Sequence, residues 1–206
     1  APILLVTLGV ACTSKDSGTT AGSDTTISTT TASSTTEAPI SSAETPITPE
    51  VNPPGDIPDT QAFIKYANAA GRYQVEVPEG WARTENATSV SFVNKFDGVK
   101  VDVAAAAAAP TAANVRANEA KAIQSEERAV TINSVSEVTL SGGRAVVIKY
   151  ASNSEANPVT NKRVRLENET YLFFKNGKEA ALTVWAPQGA DNVDQWQRMA
   201  KSFRWL

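Results

Sequence analysis

Apolar side chains are spread so unevenly along these 206 residues that only one stretch can build a core. Residues 2–11 form an apolar run that stops at Cys12, the one cysteine of the chain. Residues 13–60 are dominated by Thr, Ser, Ala and Pro, with isolated apolar side chains such as Ile27, Ile40, Ile47 and Val51. Ordering a residue costs of order 1 kcal/mol of chain entropy. So few apolar groups cannot offset that cost, and residues 13–60 are expected to form a disordered tether. From residue 61 to residue 206 apolar positions recur at strand and helix spacing. That is about 145 residues, the common size of one domain with one core.

The apolar run is too short to span a bilayer as a helix, but it suits the hydrophobic region of a secretory signal. Leu8-Gly9-Val10-Ala11-Cys12 places small residues directly before the cysteine. This string resembles the lipobox of bacterial lipoproteins, with Leu8 one position further from the cysteine than is usual there. The resemblance implies that residues 1–12 are the remnant of a signal peptide and that Cys12 is the site of lipid attachment. The chain would then be anchored to the cell membrane on its extracytoplasmic side. Flexible-coil scaling gives the tether a reach of roughly 40 Å, and its dense Ser and Thr content invites O-glycosylation.

The net charge of −3 conceals an asymmetry. The tether sets Lys15 against seven carboxylates, so the rest of the chain carries a small basic surplus. A surplus of that size lacks the dense basic stripe that nucleic-acid binding requires, and no nucleic-acid partner is expected. With Cys12 committed to the anchor there is no disulfide framework, and the apolar core must hold the domain alone.

Within the domain, Tyr73, Val75 and Val77 alternate with Gln74 and Glu76 as in a half-buried strand, ended by Pro78-Glu79-Gly80. Residues 89–96 and 99–105 flank Asp97-Gly98 and read as a hairpin. Residues 130–140 and 144–150 flank Ser141-Gly142-Gly143, and residues 164–174 and 179–186 flank Asn176-Gly177, a strong two-residue turn signal. Two helices interrupt the strands. The first is expected from the cap Thr111 to about Arg128, with Val115, Ala122 and Ile123 inward. The second is expected from the cap Asp191, with Val193, Trp196, Ala200 and Phe203 as its apolar stripe. The fold class is therefore α+β, a mostly antiparallel sheet of about seven strands flanked by helices.

Several strings in this order resemble the PsbP and Mog1-like superfamily. They are Tyr73-Gln74-Val75-Glu76-Val77-Pro78-Glu79-Gly80-Trp81, then Leu140-Ser141-Gly142-Gly143-Arg144-Ala145 with Tyr150, then Tyr171-Leu172-Phe173-Phe174 before Asn176-Gly177. The last is Asp194-Gln195-Trp196 leading to Ser202-Phe203-Arg204-Trp205. The resemblance spans most of the domain. It implies an antiparallel sheet sandwiched by helices, and non-catalytic roles in docking or assembly.

Chemistry is sparsely represented. The chain has no histidine, which removes His-dependent triads, imidazole acid–base work and histidine metal ligands. The carboxylate pairs Glu126-Glu127, Glu167 with Glu169, and Asp191 with Asp194 read as helix-end and strand-surface groups, so no catalytic, cofactor or metal residue is assigned. Asn86-Ala87-Thr88 and Asn168-Glu169-Thr170 match an N-glycosylation pattern by coincidence. The four tryptophans are expected in the core. The least regular segment, residues 152–162, ends at Lys162 and is followed by Arg163 and Arg165 on the polar face of the next strand, and loops on a rigid scaffold commonly carry binding. These three cations are the expected partner-binding residues. The functional expectation is a membrane-tethered extracytoplasmic lipoprotein acting as a non-catalytic binding or assembly module towards a protein partner. A carrier of a small apolar or lipidic ligand between sheet and helix is the alternative, and a carboxylate-only enzyme stands behind both.

Overall fold

The computed structural model describes residues 44–206. Its strands are β1 (Phe63–Asn68), β2 (Tyr73–Pro78), β3 (Ala82–Asn86), β4 (Ser89–Asn94) and β5 (Asp97–Ala105), followed by helices α1 (Ala112–Ala117) and α2 (Glu119–Glu126). Then come β6 (Arg128–Leu140), β7 (Gly143–Asn153), β8 (Arg165–Lys175), β9 (Lys178–Pro187), helix α3 (Val193–Ser202) and the short β10 (Arg204–Trp205). Seven strands form one antiparallel sheet in the order β3-β4-β5-β9-β8-β7-β6, and β1, β2 and β10 form a second sheet. The α+β class and the seven-stranded antiparallel sheet are as the sequence predicts. The second sheet is an addition, built by pairing β2 with β1 on one edge and with the last residues, Arg204 and Trp205, on the other.

The main core lies between one face of the large sheet and a layer made of the small sheet and α3. Tyr73, Val75 and Val77 meet Val99, Val101, Leu182, Val184 and Phe173 there. Phe203, just past α3, stacks on Phe173 at 4.3 Å between centroids and on Tyr73 at 5.9 Å. Trp196 and Ala200 join this core as expected, whereas Val193 is 59% exposed and lies off the buried stripe. The opposite face of the sheet carries a smaller cluster, in which Val115 and Ala120 of the helices cover Val135, Val146, Ile148 and Leu172.

Local differences from the sequence reading have physical causes. The first helix is split at Asn118, whose side-chain amide donates to the Asn114 carbonyl oxygen at 3.1 Å and competes with the helical ladder. Thr111 caps as expected, accepting from the Asn114 N–H at 3.2 Å. The β4–β5 turn falls at Lys95-Phe96, because Asn94 pairs with Asp97 and both Asp97 and Gly98 are already in the strand. The Asn176-Gly177 turn is as read, with both residues at positive φ.

The segment 44–60, read from the sequence as part of the tether, lies against the domain. Ile57 is 5% exposed, and its N–H donates to Asn192 Oδ1 at 2.6 Å. Asn192 Nδ2 donates to the Gly55 carbonyl oxygen at 2.8 Å, and the Asp191 N–H donates to Asp56 Oδ1 at 2.8 Å. Asn192, rather than Asp191, is the residue preceding α3, and its amide serves this segment in place of a helix cap.

Candidate functional site

The alternation that sends Val99, Val101, Leu182 and Val184 into the core sends their strand neighbours to the other face. Helices α1 and α2 cover the β6–β7 side of that face. Beside α2 lies a cleft of about 540 Å³. Its floor is built from Thr170 and Asn168 of β8, Thr183 and Trp185 of β9, and Tyr150 of β7, and its rim includes Lys100 and Asp102 of β5 with Glu119, Glu126 and Glu127 of the α2 region. A floor made of paired strands fixes each side chain by the pleat, which positions polar groups more firmly than loops do.

The floor is knitted by hydrogen bonds. Thr170 and Thr183 bond through their hydroxyls at 2.9 Å, across a directly paired position of β8 and β9. Asn168 is 6% exposed, and its Nδ2 donates to Ser152 Oγ at 3.1 Å. Tyr150 donates its hydroxyl to Glu127 Oε1 at 2.9 Å. Trp185 lies over Gly98, directly opposite it on β5, so tightly that a Cβ there would sit 1.9 Å from the indole.

Charge in the cleft is lopsided. Lys100 is bound to Asp102 at 2.7 Å, and Arg128 is bound to Glu44 at 3.0 Å and Glu155 at 2.8 Å. Glu119, Glu126, Glu127 and Glu179 have no ion-pair partner among the described residues. Burial raises Glu127 above the usual carboxylate range, against the opposing effect of hydrogen bonds from Tyr150 and Ser152. Burial also raises Glu179, with the neighbouring Glu119 charge adding to it. Among the described residues no three His, Cys, Asp or Glu side chains come close enough to hold a metal ion.

The three cations assigned from sequence do not form one surface. Arg165 is 5% exposed, which corrects its placement on a solvent-facing strand surface. Its guanidinium donates to the Ala129 carbonyl oxygen at 2.7 Å, to Asn153 Oδ1 at 3.1 Å and to Thr131 Oγ1 at 3.1 Å. Lys162 pairs with Glu50 of the N-terminal segment, and Arg163 has its Nε buried without a hydrogen-bond partner. Cys12 lies outside the described residues.

Two cleft residues escape the sequence reading. Trp185 was expected in the core, yet it lines the cleft, while Trp81, Trp196 and Trp205 do pack on the main core. Glu127 reads as a helix-end charge but turns inward to Tyr150. The signal for Trp185 was present, since Glu179, Thr183 and Trp185 share a parity opposite to Leu182 and Val184. A second, more apolar groove of about 330 Å³ lies between α3 and the sheet, lined by Val138, Leu140, Tyr171 and Val193 among others.

No family model and no curated protein matches the chain. Among solved structures, the solution structure of cyanobacterial PsbP from Synechocystis sp. PCC 6803 is similar at 14% identity, covering 74% of this chain and 98% of that one with a TM-score of 0.49. The crystal structure of LpqN, involved in cell envelope biogenesis of Mycobacterium tuberculosis, is similar at 12% identity, covering 71% of this chain and 91% of that one with a TM-score of 0.41. What defines the class here is the chain's own architecture: an α+β domain with a seven-stranded antiparallel sheet, one face closed by a core and the other holding a half-covered cleft. Among the described residues no helix is long and apolar enough to cross a membrane.

Proposed function

We propose that this chain is a lipid-anchored extracytoplasmic binding module that holds its ligand in the cleft beside α2 without transforming it. The observation that carries the reading is the cleft itself, a cavity of small-molecule size floored by paired strands and bordered by Glu119, Glu126 and Glu179, which have no ion-pair partner among the described residues. The anchor rests on the apolar run ending in Val10-Ala11-Cys12, the pattern shared with lipoboxes. The absence of histidine from the sequence supports binding rather than turnover.

The test has two arms. Cys12→Ser is compared with the parent in membrane fractions of cells expressing the chain behind a complete signal peptide, and loss of membrane retention with loss of lipid mass is expected. In the second arm Thr183→Trp fills the cleft floor, and the parent and variant are screened against one solute library by native mass spectrometry. Ligands captured by the parent and lost from the filled variant are expected. Equal capture by both would overturn the cleft as the site, and release of a converted product would overturn the non-catalytic reading.

A second reading has one specific observation behind it. The groove between α3 and the sheet, with Val138, Leu140, Tyr171 and Val193, suits a carrier of a small apolar ligand. Capture of an apolar solute that survives Thr183→Trp but is lost on Val193→Asp would favour it.

A further inference from the structure

We propose that the ligand of the cleft is an extended organic polycation, a linear polyamine with ammonium groups set several ångströms apart, held between the carboxylates of Glu119, Glu126, Glu127 and Glu179 and the face of Trp185. The proposal rests on the reading of the cleft as the binding site and adds the chemistry of what enters it.

The first support is the bookkeeping of polar groups. The cations bordering the cleft are already neutralised, Lys100 by Asp102 and Arg128 by Glu44 and Glu155. The groups left over are acceptors. Glu119 Oε2 is buried with no hydrogen-bond partner. Asn168, almost wholly buried on the floor, uses its amide hydrogens on Ser152 Oγ and the Tyr150 carbonyl oxygen, and its own Oδ1 accepts nothing among the described residues. A site whose unmet capacity is to accept, and whose unpaired charge is negative, selects a ligand that donates and is positive.

The second support is geometry. A point cation would require several carboxylates to converge, and among the described residues no three do so. The acids here stand around the rim instead, on the α2 region and on β9, along a cavity of about 540 Å³. Charges distributed around a cavity of this volume, on α2, after it and on β9, fit several ammonium groups joined by methylenes better than one point charge. The methylenes would lie against Ile123, Leu172 and Ala181, which line the same cavity. Trp185 supplies an indole to which an ammonium is attracted within about 6 Å of the ring centroid.

The third support is the state of the empty acids. Burial holds Glu127 and Glu179 above the usual carboxylate range, so their charged forms lack compensation from the surrounding protein. An arriving ammonium relieves that condition, whereas a neutral or anionic ligand would not.

The experiment titrates the full chain with spermine, following heat and Trp185-dependent fluorescence at low and moderate salt. Magnesium serves as the point-charge control, and an oligolysine peptide as the basic-protein alternative. Saturable one-site binding of spermine, with magnesium at least tenfold weaker, is expected. The double variant Glu119→Gln/Glu179→Gln should weaken spermine at least tenfold while its apo melting temperature stays equal or rises, because the substitution removes buried charge. Glu79→Gln, on an exposed turn away from the cleft, should leave binding unchanged. Equal binding by the double variant would assign the interaction to the acidic residues 13–60 and overturn the proposal. Tighter binding of oligolysine than spermine would also overturn it, in favour of a basic protein partner. If spermine fails while Thr183→Trp still abolishes capture from the solute library, the ligand class is wrong and the cleft stands. If both fail, the cleft reading falls too.

Discussion

Gly98 and Trp185 are directly paired across β5 and β9, and the indole occupies the space that any side chain on residue 98 would need. The glycine is thus a condition for the cleft: it leaves the space over residue 98 to the Trp185 indole, which forms part of the floor. Gly98→Ala is expected to destabilise the domain by about 1–3 kcal/mol, the usual cost of overpacking. Trp185→Leu should relieve most of that cost, so the double variant should be less damaged than the sum of the singles. Urea titrations of the four proteins measure the coupling, and strict additivity would contradict the packing.

Asp97, beside that glycine, is a buried carboxyl whose Oδ1 finds no hydrogen-bond partner. It borders a pocket of about 100 Å³ formed with Pro54, Gly55 and Asp56. Burial pushes it from its ordinary 3.8 up to about 7, with Asp56 adding to the shift and Lys95 opposing it. A raised acid binds its proton more tightly in the folded state than in the unfolded one, so its contribution to stability is greatest below about pH 4. That contribution declines as pH rises and is lost above about pH 7. The span corresponds to on the order of 2–4 kcal/mol. Asp97→Asn is expected to flatten the pH dependence of stability between about 4 and 7 and to exceed the parent above 7. Parallel pH profiles for the two proteins would contradict this assignment.

The same neighbourhood shows where reading the chain succeeds and where it cannot. Asn176-Gly177 is legible because a two-residue turn with both residues at positive φ has a local sequence cost that this dipeptide meets. Asp97-Gly98 resembles the same signal, but its glycine answers a long-range demand from Trp185, which no local window contains. Arg165 misleads for a related reason. On a sheet covered on both faces, alternation no longer separates inside from outside, and the acceptors of Arg165 come from Asn153 at the end of β7 and from β6, including the carbonyl oxygen of Ala129 at φ 46 beside a register shift. The cleft was hidden because its residues are scattered from Lys100 to Trp185, its charged members each reading alone as surface and Trp185 as core.

Ile57 and Asn192 tie the N-terminal segment to the domain, so this segment is expected to contribute to stability. Ile57→Ala removes a buried side chain and should cost about 2–4 kcal/mol. Asn192→Ala leaves the Ile57 N–H and Gly55 carbonyl oxygen without their partner and should cost about 1–3 kcal/mol. Because both act through one attachment, the double variant should cost less than their sum. Thermal melts of the full chain measure this. Two neutral single variants would show that residues 44–60 are no part of the folded unit.

Lys162 and Arg165, read from the sequence as one surface, should behave differently when substituted. Lys162→Ser breaks an exposed pair with Glu50, a class of interaction worth about 0–1 kcal/mol, so little change in melting temperature is expected. Arg165→Ala should be severe. Its guanidinium satisfies the Ala129 carbonyl oxygen, Thr131 Oγ1 and Asn153 Oδ1, and Asn153 in turn donates to Glu44 Oε1 and the Thr45 carbonyl oxygen. Removing it strips several buried acceptors at once and loosens the start of the 44–60 segment, a loss of about 2–4 kcal/mol given hydrogen bonds to a charged group. Arg165→Lys should recover only part, since an ammonium lacks the planar fork that reaches three separate acceptors. Circular-dichroism melts rank the variants. The expected order of stability is parent, Lys162→Ser, Arg165→Lys, Arg165→Ala, and an Arg165→Ala melt equal to that of Lys162→Ser would overturn the structural role assigned to this arginine.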